Sequence, residues 1–434
     1  MKYKIRELCK RITSGGTPSR TEQEKYFVDG TINWVKTQEL RDCNVNETEE
    51  KITEIALKES SAKLLPRNTV SMAMYGATVG KLGILKTEMA TNQACCNMVV
   101  EESKADYKFL FYSLLNNRKK IISLANGAAQ QNLNLSIIGD FEIDWFPLEE
   151  QREISGILSA MDAKIELNNA INKNLEEMAQ TLFKRWFVDF EFPNENGEPY
   201  KSSGGEFEES ELGLIPKGWK VGRSTDIFDV LSGGTPKTSN PEYWNGVIPF
   251  FTPKDCLNSF YVINTEKTIT EVGLNNCNSK LYKTDTVFIT ARGTVGKVSI
   301  AGRDMAMNQS CYALIAKNGF TQKYIFLQTK QMISALQKNA NGAVFDAITV
   351  STFQNLKTLV PNIQLVRKFD EVINNIFLLI LEKTNEIQYL QGLRDTLLPK
   401  LMSGEIRVPV EQEYSHETQL PMVAENTSEY KPVT

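Results

Sequence analysis

Apolar residues recur in alternating steps of four and three over two long stretches of this chain. In the first, the stripe runs through Ile154, Leu158, Met161, Ile165, Asn168, Asn172, Leu175, Ala179, Leu182 and Trp186. In the second, Phe369, Ile373, Ile376, Ile380, Lys383, Ile387, Leu390, Arg394, Leu397 and Leu401 hold the equivalent positions. Only a helical period keeps such positions on one face, so the pattern predicts helices over 149–187 and 364–403. A seam sustained over about five heptads favours a coiled coil. The other open reading is a pair of separate amphipathic helices, each lying on its own block. Asn168 and Asn172 interrupt the first stripe. Either they select one register at a cost in stability, or they face a partner groove or solvent.

The rest of the chain alternates with a shorter period. Val70–Tyr75 and Val287–Thr290 read as strands, with return strands at Leu82–Leu85 and Val298–Ala301 after Gly-Lys turns. Helices are predicted over Tyr107–Leu124 and Gln322–Gln337. These segments match in pairs because the sequence is written twice. Ser14-Gly-Gly-Thr-Pro18 returns within Leu231-Ser-Gly-Gly-Thr-Pro236, Gly30-Thr-Ile-Asn-Trp-Val35 as Gly246-Val-Ile-Pro-Phe-Phe251, and Thr78-Val-Gly-Lys81 as Thr294-Val-Gly-Lys297. Asn92-Gln93 parallels Asn308-Gln309, and Asn126-Gly-Ala128 parallels Asn341-Gly-Ala343. A period this long means two domains, not a solenoid.

The expected architecture is α+β. Two similar globular domains, 1–148 and 213–363, are separated by two long antiparallel coiled-coil helices with a pseudo-twofold internal repeat. An acidic Gly/Pro linker at 188–212 turns the chain between the helices, and a polar acidic tail at 404–434 reads as disordered. A helix of nearly forty residues spans about 57 Å at 1.5 Å per residue. Packed antiparallel, the pair would hold the two heads apart across roughly 15 base pairs of DNA.

A net charge of −4 argues against nucleic acid until it is divided along the chain. The linker and tail concentrate acid, and without them residues 1–148 carry about +2 and residues 211–363 about +6. The seven cysteines show no CxxC spacing, which excludes a zinc knuckle and points to free thiols. A single histidine, His416, excludes histidine triads and HExxH sites. No signal segment follows Met1, and no apolar run is long enough to span a bilayer, so the expected location is the cytoplasm.

Gly76-Ala-Thr-Val-Gly-Lys81 imitates a phosphate-binding loop but has three residues between its glycines and Leu82 where a magnesium-binding hydroxyl is required. Asn240-Pro-Glu-Tyr243 imitates an amino-methyltransferase motif, but no cofactor loop accompanies it and the first copy lacks it. No catalytic or metal constellation recurs. What does recur suits nucleic acid: Arg20, Lys36, Gln38, Lys81 and Gln93 in the first copy, and Lys237, Lys254, Asp255, Arg292, Lys297, Asn308 and Gln309 in the second, all in loops. Lysine and arginine neutralise phosphates, while asparagine and glutamine can pair with adenine edges. The competing reading is that residues shared by two copies serve the fold.

The order of these motifs resembles the specificity subunits of type I restriction-modification systems. The paired Ser-Gly-Gly-Thr-Pro openings, Asn240-Pro-Glu-Tyr-Trp-Asn-Gly-Val-Ile-Pro249, Gly213-Leu-Ile-Pro-Lys-Gly-Trp219, Leu182-Phe-Lys-Arg-Trp-Phe-Val-Asp-Phe190 and Leu397-Leu-Pro-Lys-Leu-Met-Ser-Gly-Glu405 carry the likeness, which extends to about Arg407. The resemblance implies two target-recognition domains, each reading half of a bipartite double-stranded DNA target. It also implies helices that dock two methyltransferase subunits, S-adenosylmethionine bound by those partners and not by this chain, and restriction subunits in the full complex. A non-catalytic specificity subunit is therefore the expectation. Its rivals are a fused split-site methyltransferase or nuclease, which must bind S-adenosylmethionine by itself, and a coiled-coil adapter with two protein-binding heads, which shifts no duplex.

Overall fold

The β-branched and methionine-rich segments pair into the same two sheets in each copy. In the computed structural model, which describes residues 2–125, 132–257, 259–339 and 348–409, the first copy contributes eight strands to these sheets. They are β1 (Cys9–Ser14), β2 (Ile32–Val35), β3 (Cys43–Val45), β4 (Lys51–Ile52), β5 (Val70–Ala73), β6 (Leu82–Leu85), β7 (Ala90–Thr91) and β8 (Cys95–Val100). Five form a sheet in the order β1-β8-β5-β6-β3, and three form a second in the order β4-β2-β7. Helix α1 (Tyr107–Ser123) follows, with its first turn capped by Asp106, whose carboxylate accepts from the Phe109 amide at 2.8 Å. The first long helix, α2, runs Leu148–Phe187.

The second copy repeats this strand for strand. It contains β9 (Phe228–Ser232), β10 (Trp244–Phe251), β11 (Tyr261–Val262), β12 (Lys267–Ile269), β13 (Val287–Thr290), β14 (Val298–Ala301), β15 (Ala306–Met307) and β16 (Cys311–Ala316), then α3 (Gln322–Asn339) and the second long helix, α4 (Ile363–Ser403). The orders are β9-β16-β13-β14-β11 and β12-β10-β15, so each strand takes the place of the one eight before it. Register agrees as well: Ala73 faces Cys95 in the first copy and Thr290 faces Cys311 in the second. The internal repeat is a repeat of topology.

Strand alternation explains the core. Val70 and Met72 point to α1, joining Phe109, Leu110 and Leu114, while Ala73 points to the small sheet with Val35 and Met89. In the second copy Val287 and Ile289 join Tyr324 and Phe326, and Phe288 packs with Phe251 and Met307. Both faces of these central strands are therefore buried, which is why they read as short continuous apolar runs.

The chain divides into two compact units, Met1–Ala160 with Asp395–Thr434, and Met161–Arg394, so the division falls inside both long helices. In the first unit, Ile154 and Leu158 of α2 share a core with Leu398, Leu401 and Met402 of α4. In the second, Ala179, Phe183, Trp186 and Phe187 of α2 pack with Phe369, Ile373, Phe377 and Ile380 of α4 around Tyr324. Both helices also touch directly there. Asn172 Nδ2 donates to Thr384 Oγ1 at 3.2 Å and Arg394 meets Asp162 at 2.6 Å. As one number falls by ten the other rises by ten, which is an antiparallel register.

The first seam lies where the heptads place it: Ile154, Leu158, Ile165, Asn168, Asn172 and Ala179 are buried, with Met161, Leu175 and Leu182 half-buried. The second needs correction. Ile373, Ile380 and Ile387 are buried, but Phe377 and Thr384 take the inner positions assigned to Ile376 and Lys383. Ile376, Leu390 and Leu397 are half-buried beside them. The helix is covered by the domain core along much of its length as well as by its partner, which turns the buried face by one residue.

The stretch between the helices is ordered, not a plain loop. Phe190, Phe192, Tyr200, Phe207 and Trp219 stack on one another, and Phe207–Ser210 pairs with Gly213–Pro216 as a hairpin. The matched Asn-Gly-Ala segments at 126–128 and 341–343, His416 and the tail beyond 409 lie outside the described residues.

Candidate nucleic-acid interface

Four loops of each copy meet at one end of the sheets, held by equivalent backbone hydrogen bonds. In the first copy Gly16 N donates to Thr91 O (2.9 Å), Asn92 N to Val35 O (2.9 Å) and Met74 N to Ala94 O (2.8 Å). In the second, Gly234 N donates to Met307 O (3.1 Å), Asn308 N to Phe251 O (2.9 Å) and Ala291 N to Ser310 O (2.8 Å). The twelve residues singled out from sequence all fall in or beside these loops. The tertiary structure therefore gathers them into one cluster per copy.

Their roles differ from the sequence reading in several places. The Ser-Gly-Gly-Thr-Pro openings act as latches that hold the loops together. A Cβ on Gly15 would lie 2.1 Å from the Thr91 carbonyl oxygen, and one on Gly233 2.2 Å from that of Asn308. The Thr17 hydroxyl donates to Gln93 Oε1, and Thr235 does the same to Gln309. Both glutamines are exposed, and the latch occupies only their carbonyl oxygens, so their amide N–H groups remain for a ligand acceptor. Asp255 is no reader: it is buried and accepts from Thr252 N (2.8 Å), Thr252 Oγ1 (2.6 Å) and Glu266 N (2.7 Å). Asn308 closes its own turn by accepting from Ser310 N at 3.0 Å.

The cations of the first copy are paired. Arg20 lies over the Phe27 ring at 4.3 Å and meets Glu50 at 2.6 Å; Lys36 meets Glu50 at 2.9 Å and Glu49 at 3.1 Å. Hydrogen bonding to Glu50 holds the Lys36 ammonium above the usual lysine value. Burial pushes the Glu50 carboxyl up, but Lys36 and Arg20 outweigh it and keep it below the usual carboxylate range. Lys81 meets Asp42 at 2.7 Å, and Arg118 binds the same carboxylate. Gln38 is exposed, as is Arg41, which sequence reading passed over and whose Nε donates to the Gln38 carbonyl at 3.2 Å.

In the second copy Lys254 lies 3.6 Å from Glu266, while Lys237, Arg292 and Lys297 are exposed and meet no carboxylate among the described residues. The carboxylates of the first copy left no signal in the sequence, since Glu50 and Asp42 reach their cations only through the fold. Among the described residues no group of three or more His, Cys, Asp or Glu side chains is placed to hold a metal ion, and no helix is long and apolar enough to cross a membrane.

Comparison with known proteins agrees with this layout. The model of the type I restriction modification DNA specificity domain matches residues 1–177 and 216–389. The chain is 27% identical over 407 residues to the type I restriction enzyme MjaIX specificity subunit of Methanocaldococcus jannaschii, covering 92% of this chain and 91% of that one. It is 25% identical over 379 residues to the HindI specificity subunit of Haemophilus influenzae, covering 74% and 81%. A crystal structure of a type I restriction-modification S subunit from M. genitalium superposes with a TM-score of 0.57 at 17% identity, covering 92% of this chain and 95% of that one, which is a likeness of fold. With two matched regions that fall on the two copies and together span most of its length, this chain belongs to the family of type I restriction-modification DNA specificity subunits.

Proposed function

We propose that this chain is the non-catalytic subunit that chooses the DNA sequence for a type I restriction-modification complex. Each domain reads one half of a bipartite duplex target, and the helices fix the spacer between the halves. The observation that carries the reading is the duplicated loop cluster: one framework occurs twice in a chain of this family, with some exposed positions shared, as Gln93 with Gln309, and others different, as Gln38 with Lys254. Identical frameworks give the same docking geometry, and differing side chains give different base preferences.

In this reading the helices also dock two methyltransferase subunits, which bind S-adenosylmethionine and methylate adenine, and restriction subunits complete the complex in the cytoplasm. Supporting the docking role, α2 leaves Leu167 and Met178 exposed and α4 leaves Leu378 and Tyr389 exposed, each pair eleven residues and so three turns apart. The test is to reconstitute the chain with a type I methyltransferase partner and sequence the methylated sites on random DNA. The expected product is one split motif with a fixed spacer. A continuous motif, or methylation indifferent to sequence, overturns the proposal, as does S-adenosylmethionine binding by this chain alone in equilibrium dialysis.

A further inference from the structure

The two loop clusters share a framework but differ in how their cations are neutralised. Lys81 and Lys297 end the same turn, each behind a glycine in the left-handed region, Gly80 at φ +79° and Gly296 at φ +83°. Lys81 is 2.7 Å from Asp42, a carboxylate that Arg118 also binds. Among the described residues, Lys297 reaches the Cys256 carbonyl, at 3.5 Å, and no carboxylate. The same turn carries Tyr75 in the first copy and the exposed Arg292 in the second. Beside the opening latches, Arg20 is tied to Glu50, whereas Lys237 has no carboxylate among the described residues. These cations belong to one surface: Thr235 binds Gln309 two residues from Lys237, and Ser310 accepts from the amide of Ala291, next to Arg292.

A cation already held by a carboxylate neutralises little phosphate charge, because its own charge is balanced within the protein, so few counterions leave the DNA. An unpaired cation neutralises a phosphate and sets its condensed counterion free. We propose that the second domain is the electrostatic anchor of this chain on duplex DNA, taking phosphates through Lys237, Arg292 and Lys297. The first domain, whose Arg20, Lys36 and Lys81 are held by Glu50, Glu49 and Asp42, contributes recognition with a weaker dependence on salt. This rests on the DNA-reading function proposed above.

The experiment uses the full chain reconstituted with methyltransferase, a duplex carrying the sequenced motif, and a scrambled duplex of equal length. Binding is measured across a series of salt concentrations. The triple variant Lys237→Gln, Arg292→Gln, Lys297→Gln should flatten the slope of log affinity against log salt by about 2.7, at about 0.9 for each phosphate left without its cation. The matched variant Arg20→Gln, Lys36→Gln, Lys81→Gln should change it by less than about 1. Glu50→Gln, which frees the first domain's cations, should steepen it. Lys297→Arg, which keeps the charge, should leave it unchanged, and thermal melting checks that each variant is folded. Equal flattening by the two triple variants, or no steepening by Glu50→Gln, overturns the anchor while leaving the DNA-reading function standing. If the unmodified complex fails to prefer its motif over the scrambled duplex, that function itself falls.

Discussion

Gly16 shows how tightly the shared framework is specified. A Cβ there would lie 2.2 Å from the backbone of Ser61, which cannot swing aside as a side chain could. Gly16→Ala is expected to destabilise the first unit by about 2–3 kcal/mol in denaturant unfolding, as overpacking does. Gly156 is the control: it is exposed within α2 with nothing within 4 Å of an added Cβ, so Gly156→Ala should stabilise by about 1 kcal/mol. Glu50 carries the pH dependence of the same loops. Its folded pKa is depressed, so its contribution is present above the unfolded carboxylate value and is lost as pH falls through the lower, folded one. Acid unfolding of Glu50→Gln should therefore be less steep in the carboxylate range than that of the unaltered chain.

Within the long helices, polar seam residues trade stability for register. Asn172 is buried, and its Oδ1 meets no partner among the described residues while Nδ2 donates to Thr384. Thr384 keeps a bond to the Ile380 carbonyl at 2.7 Å without it. Asn172→Leu should thus raise unfolding stability by about 1 kcal/mol, because an unsatisfied buried acceptor is removed. Its cost should appear as a less uniform spacer in the methylated motif, which sequencing would reveal. Removing seven residues from both helices shortens each by about 10.5 Å, or about three base pairs of DNA. The spacer should shorten while both half-sites stay the same; altered half-sites would refute the role of the helices in spacing.

For the molecule as a whole, assembly and DNA binding should be separable. Leu378 and Tyr389 are 54% and 70% exposed, so aspartate at both positions removes an apolar surface without disturbing a core. The Leu378→Asp, Tyr389→Asp variant should keep its melting temperature yet lose co-purification with the methyltransferase. Retained co-purification would move the docking surface elsewhere.

The sequence by itself determined the duplication, both long helices and the central strand pair of each copy. The helices at 149–187 and 364–403 begin within one residue of the observed starts, and Leu82–Leu85, Val287–Thr290 and Val298–Ala301 match the observed strands. Backbone preference and side-chain period are local, and two copies of one pattern check each other. Only the tertiary structure decided which cations are muted, that Asp255 braces a turn, and that Phe377 and Thr384 replace Ile376 and Lys383 on the inner face of α4. Each depends on a partner brought near by folding: Glu50 for Arg20, Thr252 for Asp255, and the sheet-bearing core for α4. Such pairings form between elements whose own sequences carry no mark of the other, so local periodicity cannot encode them.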